Sequence, residues 1–155
     1  MKESVVLRVN GKSHTLNIDP STPLLYVLRN QLELNGPKYG CGLQQCGSCM
    51  VLLDGKAQPS CMITVKSSKA HAITTLEGIS TTDNTLHPVQ EAFVKEQAAQ
   101  CGYCLNGMVI SAVSLLNEKP DPDDNEIREG LQRNLCRCGS HARIIRAVKR
   151  AAANK

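Results

Sequence analysis

Eight cysteines form two groups of four, and their spacing is typical of iron–sulfur ligands rather than of disulfides. The first group consists of Cys41, Cys46, Cys49 and Cys61, and the second consists of Cys101, Cys104, Cys136 and Cys138. The sequence contains no dinucleotide fingerprint, phosphate loop, nucleophile elbow or pair of histidines for a catalytic metal. These observations favour an electron carrier that performs no substrate chemistry of its own.

The first group lies in the segment YGCGLQQCGSC, whose C-x4-C-x2-C spacing is that of plant-type 2Fe–2S ferredoxins. Three thiolates so close in sequence can face one cluster only if the backbone wraps around it. Gly40, Gly42 and Gly47 make this feasible, because glycine adopts positive φ and lets amide groups approach the sulfurs. We expect Cys61 on the next strand but one. A zinc site or buried structural cysteines are the alternative, although zinc ligands usually come as two separated pairs.

The second group combines Cys101-x2-Cys104, expected at a helix junction, with Cys136-x-Cys138, expected between the last two helices. A C-x-C pair cannot place both side chains on one helical face, so it indicates a break between helices. Two helix junctions that come together can enclose a cluster inside a bundle. Taken alone, this spacing leaves zinc open.

Composition agrees with a small protein stabilised by metal. The 155 residues include one Phe, three Tyr and no Trp. Divided between two cysteine groups, they give halves of roughly 75 residues, a size at which a hydrophobic core alone is marginal. A cluster in each half would add the constraint that side chains do not supply.

The sequence also indicates the expected cellular location and the partners that the protein does not bind. No apolar run approaches the ~18–20 residues of a membrane span, and the N-terminus shows no signal peptide. We therefore expect a cytoplasmic protein, where thiols bind metal more often than they form disulfides, with association to a membrane only through a partner. The net charge of +4 is modest, and without a basic stripe or aromatic platforms we expect no nucleic-acid partner.

The first half reads as strands with one helix. Strands are predicted at residues 5–9, 14–18, 49–53, 60–65 and 72–76, with turns at Asn10-Gly11 and Asp54-Gly55. Thr22 is predicted to cap a helix that begins at Pro23. Its apolar stripe would be Leu24, Leu25, Leu28 and Leu32. This order of elements predicts a β-grasp ferredoxin domain over residues 1–80.

The second half reads as helices. They are predicted at residues 88–99, 105–118, 124–135 and 141–153, with Asp123 or Asp124 capping the third. Residues 66–84 are rich in Ser, Thr and Lys, and the domain boundary is placed at their end, near residue 80. The predicted fold class is therefore α+β, with a helical cluster-binding domain over residues 81–155.

Taken together, YGCGLQQCGSC, QCGYCLNGM and NLCRCGSHARI resemble the small iron–sulfur subunit of the molybdenum hydroxylases, the xanthine oxidase family. The likeness covers nearly the whole chain, including TPLLYVLRNQLELNGPKYGCG and the HPVQEAF segment. It implies a β-grasp ferredoxin domain followed by a four-helix domain, each with one 2Fe–2S cluster. It also implies a large partner subunit that holds the molybdopterin–molybdenum cofactor, and a flavin or cytochrome subunit or domain as acceptor.

The resemblance also implies residue roles. The cluster of Cys101, Cys104, Cys136 and Cys138 would be nearer the molybdenum. Gln100 and Cys138 would touch the pterin, and the cluster of Cys41, Cys46, Cys49 and Cys61 would lie further out. The backbone of Gly42 and Gly47 would serve the outer cluster.

The motifs depart from the family at two places. Many members read C-G-F-C-T-P-G-M, whereas here Leu105-Asn106 replaces Thr-Pro; many read C-R-C-T-G-Y, whereas here Gly139-Ser140-His141 follows the last cysteine. These versions look most like the small subunits of nicotinate dehydrogenases, and like the alpha subunits of isoquinoline 1-oxidoreductases. They suggest hydroxylation of an N-heteroaromatic ring such as nicotinate, with an aldehyde or a purine as the alternative substrate class.

Two hypotheses compete with this one: a free two-cluster ferredoxin-like carrier, and a zinc-stabilised interaction module without a redox role. Three smaller points also have two interpretations. His141 is interpreted as the start of a helix rather than as a metal ligand, because four cysteines already complete its set. The basic face of the last helix is expected to be solvated rather than docked on a partner. Lys38 either offsets the charge of the thiolates or is merely exposed.

Overall fold

The computed structural model describes residues 1–80 and 85–154. Five strands and two short helices come first, and four helices follow. The strands are β1 (Glu3–Val9), β2 (Lys12–Ile18), β3 (Met50–Leu53), β4 (Lys56–Pro59) and β5 (Ala72–Thr74). The helices are α1 (Leu24–Asn30), α2 (Val65–Ser68), α3 (Pro88–Lys95), α4 (Leu105–Glu118), α5 (Asp124–Leu131) and α6 (His141–Ala153). The α+β fold class predicted from the sequence is confirmed.

The strands form one mixed sheet in the order β2-β1-β5-β3-β4. β1 pairs antiparallel with β2 and parallel with β5, and β3 pairs antiparallel with both β4 and β5. Both predicted turns connect neighbouring strands. Asn10-Gly11 and Asp54-Gly55 have positive φ at each residue, as a tight two-residue hairpin requires. This arrangement is the expected β-grasp sheet.

Helix α1 covers this sheet through an apolar stripe. Leu24 and Leu28 are fully buried and pack with residues of β1, β3 and β5. Leu32 lies beyond the end of the helix and is only partly buried against the same core. The predicted stripe is therefore correct, but its last member belongs to the following loop.

Two predictions in this half are wrong. The strand predicted at residues 60–65 lies earlier, at β4, because the Asp54-Gly55 turn places Lys56 directly opposite Leu53. Residues 60–62 form a turn, and Thr64 then caps α2. Thr22 does not cap α1, which begins at Leu24; Pro23 precedes it in extended conformation and forms a β-bridge with Thr64.

The helical half is close to its prediction. The bounds of α4 and α6 agree, whereas α3 ends at Lys95 and α5 at Leu131, four residues short in each case. Asp123 caps α5 with a capping box that includes Glu126, as the sequence predicts. His87 caps α3 in the same way, with Gln90 as its partner.

The basic face of α6 is exposed to solvent, as expected, and its side chains also form ion pairs within the chain. Arg146 and Arg150 both bind Glu96 at the end of α3, at 3.1 Å and 2.7 Å. Lys149 binds Asp124 at the start of α5. The basic residues therefore tie α6 to two neighbouring helices of the same chain.

The two halves share a packed seam. Met50 and Leu52 of β3 belong to the same apolar core as Phe93 of α3 and Met108 of α4. The predicted division at residue 80 remains a prediction, because residues 81–84 lie outside the described part of the chain. No helix among the described residues is long and apolar enough to cross a membrane.

Candidate iron–sulfur centres

Most of the first cysteine group lies on the loop between α1 and β3. Cys41, Cys46 and Cys49 lie on this loop, and Cys61 lies in the turn after β4 rather than on a strand as predicted. Cys49 and Cys61 are buried, whereas Cys41 and Cys46 are half-buried. The loop therefore holds two thiols towards the protein interior and two towards the surface.

Backbone amides converge on the outer thiols. The sulfur of Cys41 accepts hydrogen bonds from the amides of Leu43 and Gln45 at 3.3 Å and from that of Cys46 at 3.4 Å. The amide of Cys41 in turn donates to the sulfur of Cys46 at 3.3 Å. Burial raises the pKa of Cys41, but the amide bonds outweigh it and lower that pKa to about 7. Such a loop stabilises thiolate, the form that binds metal.

The turns of this loop depend on two of the three glycines singled out from the sequence. Gly42 and Gly47 have φ of 68° and 73°, a conformation that side chains with a Cβ rarely adopt. Gly40 is required for a different reason, because a Cβ there would lie only 2.7 Å from the sulfur of Cys46. These residues allow the backbone to wrap as the sequence predicts.

The two buried thiols of the first group, Cys49 and Cys61, contact each other. The sulfur of Cys49 accepts from the amide of Cys61 and contacts its side chain. Burial raises the pKa of Cys49 to about 12. A buried thiol of this kind becomes a thiolate when a metal cation supplies the missing positive charge.

The second group joins two junctions of the helical half. Cys101 and Cys104 lie just before α4, and Cys136 and Cys138 lie between α5 and α6. The side chains of Cys101 and Cys138 contact each other, as do those of Cys104 and Cys136. Both sequence pairs therefore lie at breaks between helices and meet in space.

Local amides favour thiolate here as well. The amide of Tyr103 and the thiol of Cys138 lower the pKa of Cys101. Burial raises the pKa of Cys136, but amide bonds from Ser140 and Cys138 leave it below its usual value. Burial raises the pKa of Cys104 to about 12, as it does for Cys49 in the first group. Cys104 therefore also requires a metal cation to become a thiolate.

The donor sets fit two iron–sulfur clusters. Each half supplies four free thiols, and backbone amides point at some of their sulfurs; thiolates and such hydrogen bonds are the ligands and outer contacts of a 2Fe–2S site. Among the described residues, no group of three or more His, Cys, Asp or Glu side chains has the spacing to hold a single metal ion. The thiols meet in pairs instead.

Hydrogen bonds from three residues cross the seam and link the two sites, and the sequence did not reveal them. The amide of Leu135, next to Cys136, donates to the carbonyl of Cys46 at 3.0 Å. The side-chain amide of Asn106, two residues beyond Cys104, donates to carbonyls on both sides of Cys49. The hydroxyl of Tyr103 donates to the carbonyl of Tyr39. The one sequence feature that pointed to any of these residues was the replacement of the family's Thr-Pro by Leu105-Asn106, which includes Asn106.

The remaining predicted residues lie at the surface. Gln100 is exposed beside the exposed Cys101, and Cys138 is half-buried. His141 begins α6 with its side chain exposed. Lys38 donates to the carbonyl of Asn35 at 2.7 Å, so its ammonium is turned towards its own loop.

Two family models match adjacent parts of the chain. Residues 7–75 match a 2Fe-2S iron-sulfur cluster binding domain, and residues 75–149 match a [2Fe-2S] binding domain. Each match contains one of the two cysteine groups.

Whole-length relatives agree with these matches. One subunit of the nicotinate dehydrogenase of Pseudomonas putida is 53% identical over 152 residues, covering 98% of this chain and 96% of the relative. The alpha subunit of isoquinoline 1-oxidoreductase from Brevundimonas diminuta is 42% identical, covering 93% of this chain and 94% of the relative. The crystal structure of quinoline 2-oxidoreductase from Pseudomonas putida superposes with a TM-score of 0.92 at 35% identity, covering 98% of this chain and 94% of that one.

Proposed function

Because this chain belongs to the iron–sulfur subunits of the molybdenum hydroxylase family, we propose that it carries electrons from the molybdopterin site of a large subunit to an external acceptor. Its cofactors are two 2Fe–2S clusters, each of which accepts and releases one electron when bound. The chain is thus part of a molybdenum-dependent oxidoreductase, and the substrate is transformed elsewhere in the complex.

The observation that carries this proposal is the pair of thiol quartets, one in each half of the chain. We assign one cluster to Cys41, Cys46, Cys49 and Cys61, and the other to Cys101, Cys104, Cys136 and Cys138. The protein supplies thiolates, amide hydrogen bonds to sulfur and partial burial, which are the factors that set reduction potentials.

A continuous backbone connection joins the quartets. The carbonyl of Cys46 accepts the 3.0 Å hydrogen bond from Leu135, which is bonded to Cys136. A ligand of one set is therefore separated from a ligand of the other by one hydrogen bond and a few covalent bonds. We assign the transfer between the two sites to this route.

The exposure of the second site supports contact with the large subunit there. Cys101 and Gln100 are both exposed, although a cluster near the molybdenum must be shielded from water in the working enzyme. We propose that the large subunit covers this edge and that Gln100 and Cys138 contact the pterin. The first site then faces a flavin or cytochrome acceptor, and Leu43, exposed to 64%, lies at its rim.

The proposed substrate is an N-heteroaromatic ring such as nicotinate. It rests on the similarity to a nicotinate dehydrogenase subunit over 98% of this chain and on the Leu105-Asn106 and Gly139-Ser140-His141 motifs. Two electrons leave the ring when a C–H bond is hydroxylated with oxygen from water. Two one-electron sites in series suit this reaction because they divide the pair into single steps.

The test uses the natively purified complex under anaerobic conditions. Addition of nicotinate should bleach the visible absorption of both clusters, and a large molybdenum-containing chain should co-purify with this one. Bleaching by an aldehyde or a purine but not by nicotinate would replace the substrate and keep the electron-transfer role.

Two further outcomes would overturn the proposed role. A brown chain that purifies without a molybdenum partner and exchanges electrons with several reductases would be a free ferredoxin. A colourless chain that contains zinc would be an interaction module.

A further inference from the structure

Asn106 joins the helical half to the first cysteine loop. It lies in the first turn of α4, two residues beyond Cys104, and its side chain is 1% exposed. Its amide nitrogen donates to the carbonyl of Ser48 at 2.9 Å and to that of Met50 at 3.0 Å. These two carbonyls flank Cys49, a proposed ligand of the first cluster.

The sheet does not satisfy the carbonyl of Met50. Directly before β3 the carbonyl of Cys49 faces the chain at the end of β4, since it accepts from the amide of Ser60 at 3.2 Å. The carbonyl of Met50 therefore faces the opposite side, where β5 lies. The carbonyl of Ser48 lies in the turn before the strand and also accepts from the amide of Lys38 at 3.0 Å. However, β5 pairs only with Leu52 and Leu53 and stops short of Met50. The side chain of Asn106 takes the place of the missing strand.

This amide carries an energetic cost. Its oxygen is buried and has no hydrogen-bond partner among the described residues. A buried oxygen without a partner is destabilising, and such atoms in a native structure call for an explanation. An apolar residue would avoid the cost at the oxygen, but it would leave the carbonyl of Met50 without its donor, so the amide also has a stabilising role.

The position of the donated hydrogens indicates a further role for this amide. The N–H groups of Asn106 place positive ends against two carbonyl oxygens beside Cys49, and they offset the negative ends of those dipoles. The carbonyl of Ser48 shares its peptide unit with the amide of Cys49, so a hydrogen bond to the former polarises the latter. Both effects make the neighbourhood of Cys49 less negative, which favours the reduced form of a cluster bound there.

We propose that Asn106 is a positioning residue of the first iron–sulfur site, which holds Cys49 in place and raises the potential of its cluster from the opposite half of the chain. This inference rests on the assignment of Cys41, Cys46, Cys49 and Cys61 to one cluster. It gives a residue adjacent to the second site a measurable effect on the first.

The test is a reductive titration of the full, cluster-loaded chain, followed by electron paramagnetic resonance. In Asn106→Ala the first cluster should become harder to reduce by about threefold, which is about 28 mV at 59 mV per tenfold for one electron. The second cluster should keep its potential. A merely structural role would alter unfolding without moving one potential selectively.

Ser114→Ala is the matched control. Ser114 lies on the same helix and accepts a hydrogen bond from the amide of Ala57 across the same seam at 3.0 Å, and Ala57 is not adjacent in sequence to any cysteine. Its removal should leave both potentials unchanged. Equal shifts in the two variants would overturn the inference.

Asn106→Pro guards against failure of the alanine variant to fold. Amides in the first turn of a helix have no partner within it, so proline is tolerated there. Asn106→Pro should reproduce the shift seen in Asn106→Ala. Wild-type potentials in a variant that holds all its iron would reject the role of Asn106, whereas a wild-type chain without two cluster signals would reject the ligand assignment instead.

Discussion

Gly107 of α4 lies so close to Gly47 of the first cysteine loop that a Cβ at position 107 would overlap the carbonyl oxygen of Gly47. The same Cβ would press on the side chain of Asn134, which precedes Cys136 by two residues. The helix and the loop can approach this closely because position 107 is glycine, whereas a Cβ at position 47 would meet the carbonyl of Arg133 and the side chain of Asn134. The separation of the two proposed cluster sites therefore depends on a contact between two residues that lack side chains.

Gly107→Ala should destabilise the seam. The added methyl group meets backbone rather than a flexible side chain, and overpacking of this kind costs about 1–3 kcal/mol. Gly130→Ala is the control, because its Cβ would meet only the end of the Leu115 side chain at 2.9 Å, and alanine is favoured over glycine in a helix by about 0.5–1 kcal/mol. Thermal unfolding should show a lower midpoint for Gly107→Ala alone. Equal midpoints would show that the contact can relax.

Cys104→Ser and Cys46→Ser should each remove one cluster and leave the other. Iron should fall from about four to about two per chain in either variant, since each 2Fe–2S site has its own four ligands. Electron paramagnetic resonance at low temperature should show complementary single signals. Loss of both signals in one variant, or of neither, would contradict the assignment of the two groups to separate sites.

The parts of this structure that local sequence determines were predictable. Two-residue turns such as Asn10-Gly11 require positive φ, and the spacing of Leu24, Leu25 and Leu28 gives a helix its buried face. The errors arose where contacts with residues distant in sequence determine the local structure. Pro23 is held outside α1 by its bridge to Thr64, which lies far along the chain beyond the first cysteine loop.

The same limit applies to the candidate sites. Cysteine spacing indicated that Cys41 and Cys46 share one short loop. The contacts of Cys101 with Cys138 and of Cys104 with Cys136 join residues more than thirty positions apart, and they depend on how the helices pack. The hydrogen bonds from Leu135 to Cys46 and from Asn106 to Ser48 join residues far apart in sequence. No periodicity or turn signal encodes such contacts, since they depend on how the two halves pack.

Gln100→Ala should lower turnover with the natural substrate without loss of iron. Gln100 is exposed beside Cys101, where we propose that the pterin-bearing large subunit docks. Gln45→Ala is the matched control, because Gln45 is an exposed glutamine within the first cysteine loop, and the alanine keeps the backbone amide that donates to the sulfur of Cys41. Steady-state assays and iron analysis of the native complex provide the measurement. Unchanged turnover in Gln100→Ala would remove Gln100 from the proposed pterin contacts.

Glu96→Gln should reduce stability at neutral pH and have no effect in acid. Hydrogen bonds from Arg150 and Arg146 lower the pKa of Glu96 below its ordinary value of 4.5. The carboxylate therefore stabilises the folded chain fully above pH 4.5. That contribution is lost as pH falls from 4.5 through the lower folded pKa, because the folded state must then take up a proton it binds weakly. The difference in unfolding midpoint between wild type and Glu96→Gln should follow this course.

Glu91→Gln is the control for the acid titration. The pKa of Glu91 is also lowered, by Lys95, but this pair lies within one turn of α3 and is exposed. Such pairs contribute little to stability, so the midpoint should change less than in Glu96→Gln. Both variants lose acid-labile clusters as the wild type does, and the differences therefore isolate the carboxylates. A Glu96→Gln effect that does not decrease as pH falls below 4.5 would show that the glutamate stabilises α3 and α6 by packing rather than by charge.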